Sequence, residues 1–154
     1  MSKCCVLFGH RWVSLTQKEQ ELLKTIAIRL ITQENVTDFI FGKYGDFDAT
    51  AYRIVSDIKR QYPHIRRVLA LAYIPQKQED MDFLKSRYDH IYLPENTEIG
   101  PARFAISRRN RTLARECDFM ICYIMSASGG AYAAMRTARA KGKPIFNLYS
   151  PDPI

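Results

Sequence analysis

Hydrophobic positions in this chain fall into two alternating patterns: short unbroken apolar runs, and longer stretches where apolar residues recur every three or four positions. Residues 4–8 form one such run, closed by Gly9, too short for a buried helix and therefore predicted as a central strand. Thr16-Gln17-Lys18-Glu19 has the form of a capping box, and Leu22, Leu23, Ile26, Ala27, Leu30 and Ile31 follow on one helical face. Residues 39–41 predict a second strand ending at Gly42. After a loop over 43–47, Asp48 is placed to cap a second helix with Ala51, Tyr52, Val55 and Ile58 inward, and Tyr62-Pro63 stops it. A third strand is predicted over 68–73, a short helix over 78–88 and a fourth strand over 91–93, with an irregular, exposed stretch running to Pro101. Ile106, Asn110, Leu113 and Cys117 then share one helical face. A fifth strand covers 119–124, a loop 126–130 and an Ala-rich helix 131–141, with Gly142 as its left-handed cap. A last strand over 145–148 precedes a frayed tail at 151–154.

Strands and helices alternate with connections too long for hairpins, which predicts a parallel sheet with right-handed crossovers. The expected fold is α/β and Rossmann-like, a doubly wound, mainly parallel sheet with helices on both faces. The unbroken apolar runs suit strands buried on both sides. With no repeat, linker or low-complexity segment, residues 1–154 read as one domain.

Composition narrows the picture only modestly. Lysine and arginine exceed aspartate and glutamate by 23 to 16, a net charge of +7 that favours anionic partners without choosing among them. Cys4, Cys5, Cys117 and Cys122 lie in or beside apolar runs, without secreted or metal-site spacing, so buried, reduced thiols in a cytoplasmic protein are expected. No signal-peptide pattern and no apolar stretch of membrane-spanning length is seen, so no membrane partner is expected.

Candidate chemistry comes from the glycines. Gly9, Gly42, Gly45, Gly129 and Gly130 each follow a predicted strand, at the edge where open α/β sheets bind their ligands. Glycine there admits close backbone approach, and the next helix offers unpaired N–H groups to an anion. Each glycine taken singly reads equally well as a tight turn, but three loops together favour a phosphate cradle. Neither G-x-x-x-x-G-K-[ST] nor G-x-G-x-x-G is present, which argues against an ordinary P-loop or dinucleotide site.

Phe8-Gly9-His10-Arg11, Phe41-Gly42 with Gly45 and Phe47-Asp48, Tyr62-Pro63-His64-Ile65, Arg103-Phe104-Ala105-Ile106 with Arg109-Asn110-Arg111, Asp118, and Gly129-Gly130-Ala131-Tyr132 ahead of Ala138 and Lys141-Gly142-Lys143 closely resemble the SLOG family, in particular its small bacterial and phage members. The resemblance runs in order along nearly the whole chain. That superfamily takes in the LOG phosphoribohydrolases and the DNA-processing protein DprA. It implies a nucleotide-type site built from Gly9, His10, Arg11, Gly42, Gly45, Asp48, Arg109, Asn110, Ser128, Gly129 and Gly130.

One departure bears on catalysis. LOG enzymes carry P-G-G-x-G-T-x-x-E with a catalytic glutamate that works with an arginine from the preceding helix. Here Ser128-Gly129-Gly130 matches the start, Tyr132-Ala133 replace Gly-Thr, and Met135 or Arg136 stands in the acidic slot. Arg109 is the candidate for the arginine role and Asp48 for the lost carboxylate, with Asp46 next; Asp48 reads equally well as a helix cap. His10 is favoured as a ligand contact over an acid or base. The arginines Arg103, Arg108, Arg109, Arg111 and Arg115 suit phosphate, although such a run is more often a solvated helix face.

Three functions follow in order of preference. The first is a sensor or effector module that binds a nucleotide or nucleotide-derived small molecule without LOG-type catalysis. The second is a nucleoside 5′-monophosphate phosphoribohydrolase using Arg109 and Asp48. The third is DprA-like binding of single-stranded DNA, ranked last because the aromatic residues show no stacking array among basic ones along the chain. No cofactor or metal is called for, and a homodimer is the assembly that related LOG enzymes suggest.

Overall fold

The computed structural model describes residues 2–42 and 45–149, so positions 43–44 of the second loop and the 151–154 tail lie outside the described residues. In order, the elements are β1 (Lys3–Gly9), α1 (Gln17–Gln33), β2 (Val36–Phe41), α2 (Asp46–Gln61), β3 (Arg66–Ala70), α3 (Gln78–Arg87), β4 (His90–Tyr92), a short 3-10 turn (Ala102–Phe104), α4 (Ala105–Glu116), β5 (Phe119–Tyr123), α5 (Gly129–Ala140) and β6 (Ile145–Asn147). The capping box forms as predicted: Glu19 N donates to Thr16 Oγ1 at 3.1 Å, and Thr16 N donates to Glu19 Oε1 at 2.9 Å. Gly142 takes φ +70° just past the end of α5, the left-handed stop expected of it.

The six strands are ordered β4-β3-β2-β1-β5-β6, and every pairing is parallel. From β1 the chain winds outward through β2 and β3 to β4, then returns through α4 to lay β5 on the other side of β1. The winding direction therefore reverses between β1 and β5, and the carboxyl ends of these strands flank the crevice where such sheets bind ligands. Alternation along β1 sends Cys5 and Leu7 to one face, where α1 and α2 pack through Leu23, Ala27 and Val55. It sends Val6 and Phe8 to the other, against Leu113 of α4 and Ala134 and Ala138 of α5. The chain is thus a doubly wound, Rossmann-like α/β sheet with helices on both faces.

Several boundaries differ from expectation for local reasons. Helix α2 starts at Asp46 with Gly45 at its N-cap, so Asp48 lies inside the first turn and not at the N-cap position expected of it. Gly45 has φ +96°, and a Cβ there would lie 2.8 Å from the Arg11 Cα, so only glycine allows the turn that brings Asp46 N to Arg11 O at 2.8 Å. Helix α5 likewise begins at Gly129, two residues early. Strand β3 begins at Arg66, because Arg66 grips Asp38 through two 2.9 Å hydrogen bonds and Arg67 grips Asp89, charged anchors that hydrophobic patterning does not register. In the stretch before Pro101, expected to be exposed, Pro94 and Thr97 are buried; Arg108 holds the loop inward by donating to Thr97 O and Pro101 O.

Candidate functional site

A cleft of about 300 Å³ opens at the carboxyl ends of β1 and β5. Gly9, His10, Arg11, Gly42, Asp48, Arg109, Asn110, Gly129 and Gly130 all line it, together with Leu7, Phe8, Ile106 and Ala131. Gly45 and Ser128 stand outside the lining, at the N-caps of α2 and α5. Four polar or charged residues are buried among the described ones, and three of them, Asp48, Arg109 and Asn110, face this cleft. Such burial is rare without a structural or functional partner, so the cleft is the leading candidate site. Ile106 and Ala131 were not among the expected site residues, since apolar positions on a helix look alike whether they line a core or a pocket.

One wall of the cleft is welded to the protein. A Cβ on Gly9 would sit 2.2 Å from Phe47 Cγ, so this glycine lets α2 close on β1. A Cβ on Gly42 would sit 2.8 Å from Arg109 Nη2. The Arg109 guanidinium donates from Nη1 to Gly42 O at 2.9 Å and to Ala70 O at 3.3 Å, tying the ends of β2 and β3 to α4. Its Nε and Nη2 donate to Asn110 Oδ1 at 3.2 and 2.9 Å. The arginine singled out for a phosphate thus has its donors largely engaged by the protein, and the predicted arginine run splits: Arg109 is buried while Arg103, Arg111 and Arg115 are exposed.

The opposite wall is open. Helix α5 begins with Gly129 at φ +90°, with nothing within 4 Å of a Cβ built there. Ser128 makes no side-chain cap hydrogen bond and the first turn holds no acidic residue, so the positive end of this twelve-residue helix has no countercharge of its own. Helix α2, which also points into the cleft, carries Asp46 and Asp48 in its first turn. His10 links the walls: its Nε2 accepts from Met125 N at 2.8 Å, which assigns the ring proton to Nδ1 when the imidazole is neutral.

The fold also gathers what the linear sequence scatters. Among the described residues eight large hydrophobic side chains are exposed, and six of them belong to connections that leave the carboxyl edge: Trp12, Tyr73, Ile74, Ile99, Phe104 and Met125. Tyr73 Oη donates to Ala102 O at 3.0 Å, joining the loop after β3 to the turn before α4, and the Arg103 guanidinium lies 4.8 Å from the Phe104 ring centroid. The sequence ranks strand binding last for want of an aromatic and basic array along the chain; in the fold, Tyr73 and the Arg103–Phe104 pair come from two loops that touch.

The cysteines are packing residues. Burial pushes the Cys117 and Cys122 thiols up to about 12 and raises Cys4 and Cys5 as well. Cys4 and Cys5 point to opposite faces of β1, as alternation requires. Among the described residues no cluster of three or more His, Cys, Asp or Glu is arranged to hold a metal ion, and no helix is long and apolar enough to cross a membrane.

No family model and no curated protein sequence matches the chain. Solved structures share its fold, among them two of DNA processing protein A. DNA processing protein A (DprA) from Streptococcus pneumoniae aligns with a TM-score of 0.59 and 14% identity over 92% of this chain. DNA processing protein A from Helicobacter pylori, described for its unique single-stranded DNA binding mode, aligns with a TM-score of 0.60 and 16% identity over 94% of this chain. The chain spans 49% and 64% of the lengths of those two proteins. The Rossmann-like fold implied by the SLOG resemblance is therefore the fold this chain shares with DNA processing protein A.

Proposed function

We propose that this chain binds single-stranded DNA along the carboxyl edge of its sheet, with one nucleotide seated in the cleft between β1 and β5. The observation that carries this reading is that exposed Trp12, Tyr73 and Phe104 sit on three loops leaving the same carboxyl edge as a cleft lined by Arg11 and by the first turn of α5, whose N-cap makes no side-chain hydrogen bond. Aromatic faces stack on bases of any sequence, and cationic groups track the backbone. The net charge of +7 draws a polyanion. The single-stranded DNA binding described for the H. pylori protein of the same fold adds to it. Within the cleft the phosphate belongs against α5, because Asp48 supplies negative charge at the N-terminus of α2.

Trp12 is the single tryptophan and is 82% exposed, so it reports binding without a label. Titration with an oligothymidylate is expected to quench its emission. The affinity should fall about seven-fold between about 50 and 200 mM salt if two phosphates are held. No quench and no change in anisotropy of a labelled strand at low salt would overturn the proposal.

A second reading shares the cleft: a free nucleotide-derived molecule, favoured by a volume of about 300 Å³, at the lower end of the range for small-molecule sites. It predicts that a mononucleotide raises the melting temperature as much as an oligonucleotide does. Hydrolysis of an N-glycosidic bond would in addition require Asp48 as the acting carboxylate. Asp48→Asn separates the cases: it abolishes any base release seen by chromatography if the chain is a hydrolase, and raises affinity for a phosphate ligand two-fold or more if the chain only binds.

A further inference from the structure

The cleft does not stand alone. A groove of about 160 Å³ beyond the end of β3 shares Gly42 and Arg109 with it and continues to Tyr73. On the other side a groove of about 190 Å³ between α4 and α5 shares Asn110 and Gly130 with it and continues past Ala133 to Arg111. Each flanking groove is smaller than an ordinary small-molecule site, about 300–1,000 Å³, so neither is a self-contained pocket. The two thresholds differ: at Gly42 the Arg109 guanidinium fills the space beside the glycine and forms a floor that the two hollows share, whereas at Gly130 the passage is open. A Cβ at 130 would lie 3.5 Å from Asn110 Nδ2, so a longer side chain there would narrow the passage, whereas glycine leaves it open.

Resting on the strand-binding reading, we propose that these three hollows form one continuous track for three successive nucleotides, crossing the edge from Tyr73, over the central cleft, to Arg111. The two ends differ chemically. Arg111 is exposed beside the α4–α5 groove and suits a backbone phosphate. At the other end Tyr73 is 43% exposed and Asp80 also lines the groove, so this end takes a base by stacking and disfavours a phosphate. A ligand of one nucleotide fills only the centre; a strand uses the whole line.

The test is a length series of unlabelled oligothymidylates from one to six nucleotides, competing with a labelled twenty-nucleotide strand for the full chain. Affinity is expected to climb at least ten-fold from one to three nucleotides and less than two-fold for each nucleotide added after that. Ala133→Phe, at an exposed position of α5, would fill the α4–α5 groove and is expected to weaken the trinucleotide at least ten-fold with an unchanged melting temperature. Tyr73→Ala should weaken it at least five-fold and Tyr73→Phe much less, because the ring is retained. If the long strand binds but one and three nucleotides compete equally, or Ala133→Phe has no effect, the track is wrong and strand binding stands. If the long strand does not bind at any salt concentration, strand binding itself is wrong.

Discussion

The two walls of the central cleft both carry glycines, and they use them in opposite ways. On the β1–β2 side Gly9 and Gly42 are glycine because Phe47 and Arg109 occupy the space a side chain would need. On the α5 side a Cβ at Gly129 would meet nothing within 4 Å, and one at Gly130 would make only ordinary contact with Asn110. Glycine beside a strand end therefore has two physical meanings: close packing of helix on sheet, or free backbone facing a ligand. The same contrast runs through the helix termini. The positive end of α2 is answered by Asp46 and Asp48, while that of α5 has no acidic residue in its first turn.

If one wall is scaffold and the other is contact surface, substitutions on the two should separate stability from binding. Arg109→Ala should have the largest effect on stability, about 4 kcal/mol, since it strips hydrogen bonds from Gly42 O, Ala70 O and Asn110 Oδ1 and leaves a cavity. Thermal unfolding should show a midpoint about 8–16 °C lower. A loss confined to ligand affinity would return Arg109 to the contact surface. Gly9→Ala comes next, at about 2–3 kcal/mol, because the new methyl collides with the Phe47 ring and either α2 or the ring must shift; a change within about 0.5 kcal/mol would show that the wall has slack. Gly130→Asp should be the mildest for folding, under about 0.5 kcal/mol, while lowering affinity for single-stranded DNA at least ten-fold by placing a carboxylate where the phosphate is drawn. Unchanged binding in that variant would remove α5 from the site.

Much of the lining of the candidate cleft was legible in the sequence, and the reasons it was not all legible are specific. The glycines marked their loops because glycine has few reasons to follow a strand. They could not reveal which wall was packed, since Phe47 and Arg109 meet Gly9 and Gly42 only across the fold. Asp48 was expected at the N-cap of α2 and lies inside its first turn, because the left-handed Gly45 takes the N-cap three residues sooner. The contact between the Tyr73 loop and the turn carrying Phe104 was invisible, because proximity between loops tens of residues apart has no signature in local spacing.

What the chain determined by itself was the alternation of short apolar runs with amphipathic helices, and from that the parallel, doubly wound sheet; these follow from periodicity, which each segment carries within its own residues. Only the tertiary structure decided that β5 lies beside β1, that Arg109 is a buried tether and Arg111 an exposed cation, and that two smaller hollows share lining residues with the central cleft. Those outcomes depend on which elements become neighbours. That is settled by packing the two apolar faces of the whole sheet at once, and no segment encodes it alone.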